Sequence, residues 1–220
     1  MKPAIKVIGV PNDINSSFMR GSSAAPPLIR EALFSASSNL FSESGLDLDQ
    51  IGIWEDLGDI ELSGEIEEES FKKIKTFVKD ILASDQKLIS LGGDHSVSWP
   101  ILDAHLDAWD TLDILHIDAH PDLYDSLLDN KLSHASPFAR VMETGRVNRL
   151  VQIGIRTLNK HQREQAEKFE VEIYQMKDLT KLSSLSFSKP VYCSIDIDAL
   201  DPAYAPGVSH FEPGGLSTRQ

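Results

Sequence analysis

The chain has 220 residues, 41% of them hydrophobic and 25% charged, with a formal net charge of −13. That mix excludes a disordered chain, and the length predicts one domain, residues 1–220, with a single substantial core. The acidity excludes a nucleic-acid partner, because phosphate binding needs clustered Lys and Arg, and no stretch is apolar for long enough to make a membrane a partner.

Residues 4–10 predict a first strand, ended by Pro11-Asn12-Asp13, and are too short an apolar run for a secretory signal. A long polar loop carrying Phe18 and Met19 follows. Pro26-Pro27 then opens a helix through Leu28, Ile29, Ala32 and Leu33, since proline loses no donor in a first turn. Residues 51–55 predict a second strand with an acidic connection behind it. Glu65 to Leu82 predicts an amphipathic helix whose stripe is Ile66, Phe71, Ile74, Phe77, Val78 and Ile81. Lys87 to Leu91 predicts a third, buried strand. Gly92-Gly93 then permit a tight turn, and Ser96 is expected to cap the helix through Trp99, Leu102 and Leu106. His95 thus falls at the carboxyl end of a strand, either as a hydrogen-bonded turn residue or as a ligand.

The stretch from Asp113 to Asp125 begins as a buried strand and ends Asp118-Ala119-His120-Pro121-Asp122. In an extended chain residues two apart share a side, so Asp118, His120 and Asp122 are expected to project together. Pro121 favours that reading by biasing His120 away from helical angles. Two carboxylates and an imidazole suit a divalent ion such as Mn²⁺ or Zn²⁺; the alternative is an Asp-rich turn. Ser133-His134 precede a further helix. Residues 150–155 predict a fifth strand, 160–169 a helix and 171–174 a short strand, together a βαβ unit.

Residues 191–198 predict a seventh strand with Asp196 and Asp198 on one side. Acids inside an apolar strand lose hydration unless something neutralises them. Cys193, the only cysteine, is expected to be a small buried strand residue; alone it allows no intramolecular disulfide and fits a reducing cytoplasm. At residues 214–220 another helix is expected to begin. The strand–helix alternation predicts a three-layer α/β architecture with a mainly parallel sheet, whose ligands lie beyond the carboxyl ends of the strands. Three such ends carry His95, then Asp118, His120 and Asp122, then Asp196 and Asp198. Four carboxylates balance two divalent cations, which moves the balance to a metal site. His116 is expected as a hydrogen-bonded core histidine, His210 at the cleft mouth or on an exposed loop, and His105 and His161 on helix surfaces.

Gly92-Gly-Asp-His-Ser, Asp118-Ala-His-Pro-Asp and Ser194-Ile-Asp-Ile-Asp-Ala-Leu-Asp-Pro resemble, in this order, three signature motifs of the ureohydrolases. That family includes arginase, agmatinase and formiminoglutamase. Asn15-Ser-Ser-Phe, Ser133-His-Ala-Ser and Ala205-Pro-Gly-Val-Ser-His-Phe-Glu-Pro-Gly-Gly are similar to its plant arginase and agmatinase-like branch. The resemblance implies two Mn²⁺ per chain, held by His95, Asp118, His120, Asp122, Asp196 and Asp198, with Asp122 and Asp196 as bridging candidates. It implies hydrolysis of a small guanidino substrate of the agmatine or arginine type to urea and an amine. Asp122 would accept a hydrogen bond from the attacking group, and His134 matches the family's loop histidine, a proton donor to the leaving amine. A homo-oligomer, trimer or hexamer, is expected of the full-length chain.

The pattern departs from the family in two places. Members continue with a further helix, strand and helix, so the chain is expected to be C-terminally incomplete and to lack a strand bordering residues 87–91 and 190–198. The family's guanidinium-holding glutamate finds no match here. Residues 124–133 lack the Thr/Ser/Asn-rich pattern of animal arginases, so arginine is not fixed as substrate. Two alternatives stand beside the hydrolase: a zinc deacetylase of similar architecture, and a catalytically incomplete metal-binding relative.

Overall fold

In the computed structural model, which describes residues 5–50, 52–62 and 67–220, the first apolar run becomes the centre of a three-stranded sheet. β1 (Ile5–Val10) lies between β2 (Trp54–Asp59) and β3 (Lys87–Gly92), all parallel. This sheet belongs to the first of two units, Met1–Asn15 with Arg20–Ala108; the second comprises Ser16–Met19 and Trp109–Gln220.

The second strand lies later than residues 51–55. Its acidic sequence forms a strand because the acids are paired. Arg30 of α1 (Ala25–Leu33) bonds Asp56 at 2.5 and 2.9 Å and also reaches Asp59, while Lys6 pairs with Glu55. Burial alone would raise the Asp56 carboxyl, but the Arg30 bond, the Gly58 amide and the Arg30 charge together outweigh it and hold the pKa below its ordinary value. α2 (Glu67–Leu82) buries Phe71, Ile74, Val78 and Ile81 as the stripe predicts. Ala4, Ile51, Glu65 and Ile66 of the expected elements lie outside the described residues. Lys75 joins α2 to Asp103 and Asp107 of α3 (Ser98–Ala108) at 2.6 and 3.1 Å.

β3 is not a buried strand. It ends its sheet among the described residues, and Ile89 is 49% exposed. The turn after β3 also differs from expectation: Ser96 lies inside a short 3-10 turn, His95–Val97, that precedes the helix, and Asp94 caps that turn. The Asp94 carboxylate accepts from Ser96 N at 3.0 Å and Ser96 Oγ at 2.5 Å, and its other oxygen accepts from Asn15 N at 3.0 Å. A carboxylate takes several donors where a hydroxyl takes fewer. Gly93 is required because a Cβ there would lie 1.9 Å from the Asn12 carbonyl oxygen. His105 is not a surface residue: it is half-buried on α3 with Nδ1 2.8 Å from the Ile101 carbonyl, and burial lowers its pKa.

The second unit carries a four-stranded parallel sheet in the order β6-β5-β4-β7. β4 (Leu112–Ile117) and β5 (Val147–Ile155) are central and mostly buried. α5 (Lys160–Lys168) leads from β5 to β6 (Glu172–Gln175), the expected βαβ unit. α4 (Pro137–Glu143) begins with proline at its first turn. β7 (Val191–Ile195) ends the sheet among the described residues, so Cys193 is exposed rather than buried, as are Val191 and Ile195 beside it. No helix forms at residues 214–220; Leu216 instead bridges Leu200. No helix among the described residues is long and apolar enough to cross a membrane.

Candidate metal centre

β4 and β7 are neighbours in register, with Ile117 opposite Ile195, so Asp118 and Asp196 follow the two strand ends side by side. The extended path expected through Asp118, His120 and Asp122 is absent. The strand ends at Ile117, Asp118 Oδ1 accepts from the His120 backbone N at 2.6 Å, and Asp122 takes a positive φ of 50°. An aspartate bonding the amide two residues ahead turns the chain, which competes with extension. A similar turn ends β7 early: Asp196 Oδ1 accepts from Asp198 N at 2.9 Å and caps a short 3-10 turn, Ile197–Ala199.

The two turns still bring their side chains together. Asp118, His120 and Asp198 each offer one ligand atom, and these atoms lie within 4.8 Å of one another. His120 Nδ1 is 3.0 Å from Asp198 Oδ2 and 3.5 Å from Asp118 Oδ1. Asp118 is 1% exposed and Asp198 6%. Burial opposes a charge on His120, but the bonds to Asp118 and Asp198 and the charges of Asp198 and Asp122 push its pKa up to about 11. Burial, with the charge of Asp118, pushes Asp198 up to about 6 against the opposing His120 bond. Crowded, poorly hydrated carboxylates and an imidazole form a donor set that suits a divalent cation.

Asp118 is held from behind. His116, fully buried and stacked on Phe138 at 3.8 Å, places Nε2 2.7 Å from Asp118 Oδ2. Gln152 Nε2 lies 3.0 Å from His116 Nδ1 and 2.6 Å from the Pro121 carbonyl oxygen. A carbonyl only accepts, so that Gln152 atom is the amide nitrogen, and His116 Nδ1 must accept from it. The His116 proton therefore sits on Nε2 and is given to Asp118. His116 is the core histidine its sequence predicts.

Asp198 is held by its main chain. The Arg156 guanidinium donates to the carbonyls of Asp198 and Glu212, both at 2.7 Å, and to those of Gly154, Ala199 and Leu200 at 3.2–3.3 Å. Neither Gln152 nor Arg156 follows from motif reading. The one signal for Gln152 is a polar residue inside the apolar run Leu150–Ile155.

The other sequence-predicted residues are placed as follows. Asp122 is buried and contributes its charge to His120, while Asp196 is half-buried; neither joins the tight three-residue group among the described residues. His95 opens the short 3-10 turn after β3 in the first unit. His134 stands in the turn before α4, with Nε2 2.9 Å from Ser17 Oγ. His210 is drawn in from its loop: its ring lies 6.1 Å from that of His120 and 5.1 Å from that of His134. His161 pairs with Asp125 at 3.1 Å on α5.

The arginase family model matches residues 3–220. The chain is 44% identical to mitochondrial arginase 1 of Oryza sativa over 100% of its own length and 68% of the relative's. It is 34% identical to an agmatinase of Bacillus cereus, over 98% of this chain and 75% of that one. The solved arginase of Medicago truncatula superposes with a TM-score of 0.93 at 42% identity, covering 99% of this chain and 73% of that one. These matches set aside the deacetylase alternative: the chain belongs to the arginase family and is a ureohydrolase with an α/β fold whose two described sheets are parallel.

Proposed function

We propose that the chain hydrolyses a small guanidino compound, of the arginine or agmatine type, to urea and an amine with two manganese ions. The observation that carries this is the convergence of Asp118, His120 and Asp198 beyond the ends of β4 and β7. Those three residues, with Asp122 and Asp196, would be ligands, and His95 would join them on its sequence motif. Four carboxylates match the charge of two divalent ions. Manganese, when bound, activates water at neutral pH and stabilises the charge that develops during attack on the guanidinium carbon.

The chain's own groups do the rest. Asp118 is oriented by His116 and by the His120 amide, so its position is set before any ion arrives. Asp122 would accept a hydrogen bond from the attacking group, and His134 would give a proton to the departing amine nitrogen. We also propose that residues 1–220 belong to one ureohydrolase domain, that the protein acts as a homo-oligomer, trimer or hexamer, and that it is cytoplasmic. The rice relative is named as mitochondrial, so cell fractionation is the test of location.

The functional test is urea release from a panel of guanidino compounds, arginine and agmatine included, with Mn²⁺ and with chelator. Manganese-dependent urea from one of them is expected. Manganese binding with no urea from any compound would instead make the chain a catalytically incomplete relative.

A further inference from the structure

The loop at residues 16–19 and the loop at 209–211 meet beside His134. Ser17 Oγ lies 2.9 Å from His134 Nε2 and 3.4 Å from His210 Nε2. Ser209 Oγ lies 2.9 Å from His210 Nδ1, and Phe18 packs edge-on against the His210 ring at 5.8 Å. A serine hydroxyl has one proton and two acceptor positions. It can donate to one of the two imidazoles only, so at least one of them must donate to it. Once the hydroxyl donates to one ring, the tautomer of the other is set.

The distances favour one set of directions. Hydroxyl donors make the shorter bonds on average, so the closer ring is the better placed to receive the Ser17 proton and the farther one to donate. Ser17 O–H then donates to His134 Nε2, His210 Nε2–H donates to Ser17, and Ser209 O–H donates to His210 Nδ1. His134 is left with its proton on Nδ1. We propose that Ser17 is a positioning residue that couples the tautomers of His134 and His210 and fixes the His134 proton on Nδ1, the nitrogen turned away from Ser17. The consequence for turnover rests on the reading of His134 as proton donor to the leaving amine; the tautomer itself does not.

The test is a long-range ¹H–¹⁵N correlation spectrum of the full chain with ¹⁵N-labelled histidine, at about pH 8, where an ordinary histidine is neutral. His134→Asn assigns the signal. The parent chain and Ser17→Thr should show His134 protonated on Nδ1. Ser17→Ala should move the proton to Nε2. His210→Gln should disturb the His134 signal in the parent but not in Ser17→Ala. Ser17 is exposed, so its loss leaves the core intact. In turnover, Ser17→Ala should lower kcat about tenfold with little change in KM, Ser17→Thr should restore it, and nothing further should be lost in a His134→Asn background. A His134 proton on Nε2 in the parent, or a tautomer indifferent to Ser17→Ala, overturns the proposal. Unchanged urea release by His134→Asn overturns the proton-donor reading instead and leaves the tautomer result to decide.

Discussion

Loading the centre with manganese should expel a proton. His120 lies between two buried carboxylates, with Nδ1 3.0 Å from Asp198 and 3.5 Å from Asp118, and its pKa is pushed up to about 11. Asp198 is pushed up to about 6. Between those values His120 is an imidazolium and Asp198 a carboxylate, and an ion that takes the imidazole nitrogen must displace its proton. Mass action then tightens binding about tenfold per pH unit, with about one proton released per ion held at His120 from about pH 7 to about pH 9. Calorimetric titrations of Mn²⁺ in two buffers of different ionisation enthalpy count that proton directly.

The metal-free chain should respond to pH in the opposite sense. Both folded-state pKa values lie above the ordinary ones. Stability from His120 is fully present below 6.5 and is lost as pH rises through about 11. Stability from Asp198 is present below 3.8 and is lost as pH rises through about 6. The apo chain therefore weakens on the alkaline side while manganese binding tightens there. An affinity flat across that range, with no proton released, refutes the picture of an imidazolium clasped by two carboxylates.

Other outcomes follow from single residues. His116→Phe keeps the stacking on Phe138 but removes the bond that aims Asp118, so manganese affinity should fall about 10–100-fold, measured by the same titration. Gly93→Ala drives a Cβ into the Asn12 carbonyl and should cost about 1–3 kcal/mol in urea denaturation, whereas Gly207→Ala, which meets nothing within 4 Å, should be nearly neutral. Arg156→Met releases the carbonyls of Asp198, Leu200 and Glu212 and should cost about 2 kcal/mol or more in the same assay. It should also weaken manganese binding, because the turn carrying Asp198 loses its anchor.

Most strands and helices were legible from period and punctuation: the apolar run of β1, the Pro26-Pro27 start of α1 and the stripe of α2 all form as expected. Apolar runs do not report whether a neighbour exists, so β3 and β7 read as buried although each ends its sheet among the described residues. β2 lies later than its apolar residues suggest, because its acids look like a loop until Arg30 and Lys6, distant in sequence, pair with them. At the site, residue types were legible but local geometry was not. Alternation placed Asp118 with His120 and Asp196 with Asp198, yet side-chain bonds to the amides two residues ahead turn both segments. His210 was undecided because its approach depends on a Gly- and Pro-rich loop, and that loop is held by Arg156 at the Glu212 carbonyl and by Asp201 at Gly214 N.

The most direct measurement is anomalous scattering at the manganese edge from crystals of the Mn²⁺-loaded protein. Two peaks about 3.5–4 Å apart are predicted, touching the carboxylates of Asp118 and Asp198 and the imidazole of His120. Ordered Asp118, His120 and Asp198 side chains with no anomalous peak between them, at saturating Mn²⁺, would contradict the assignment of these residues as a metal centre.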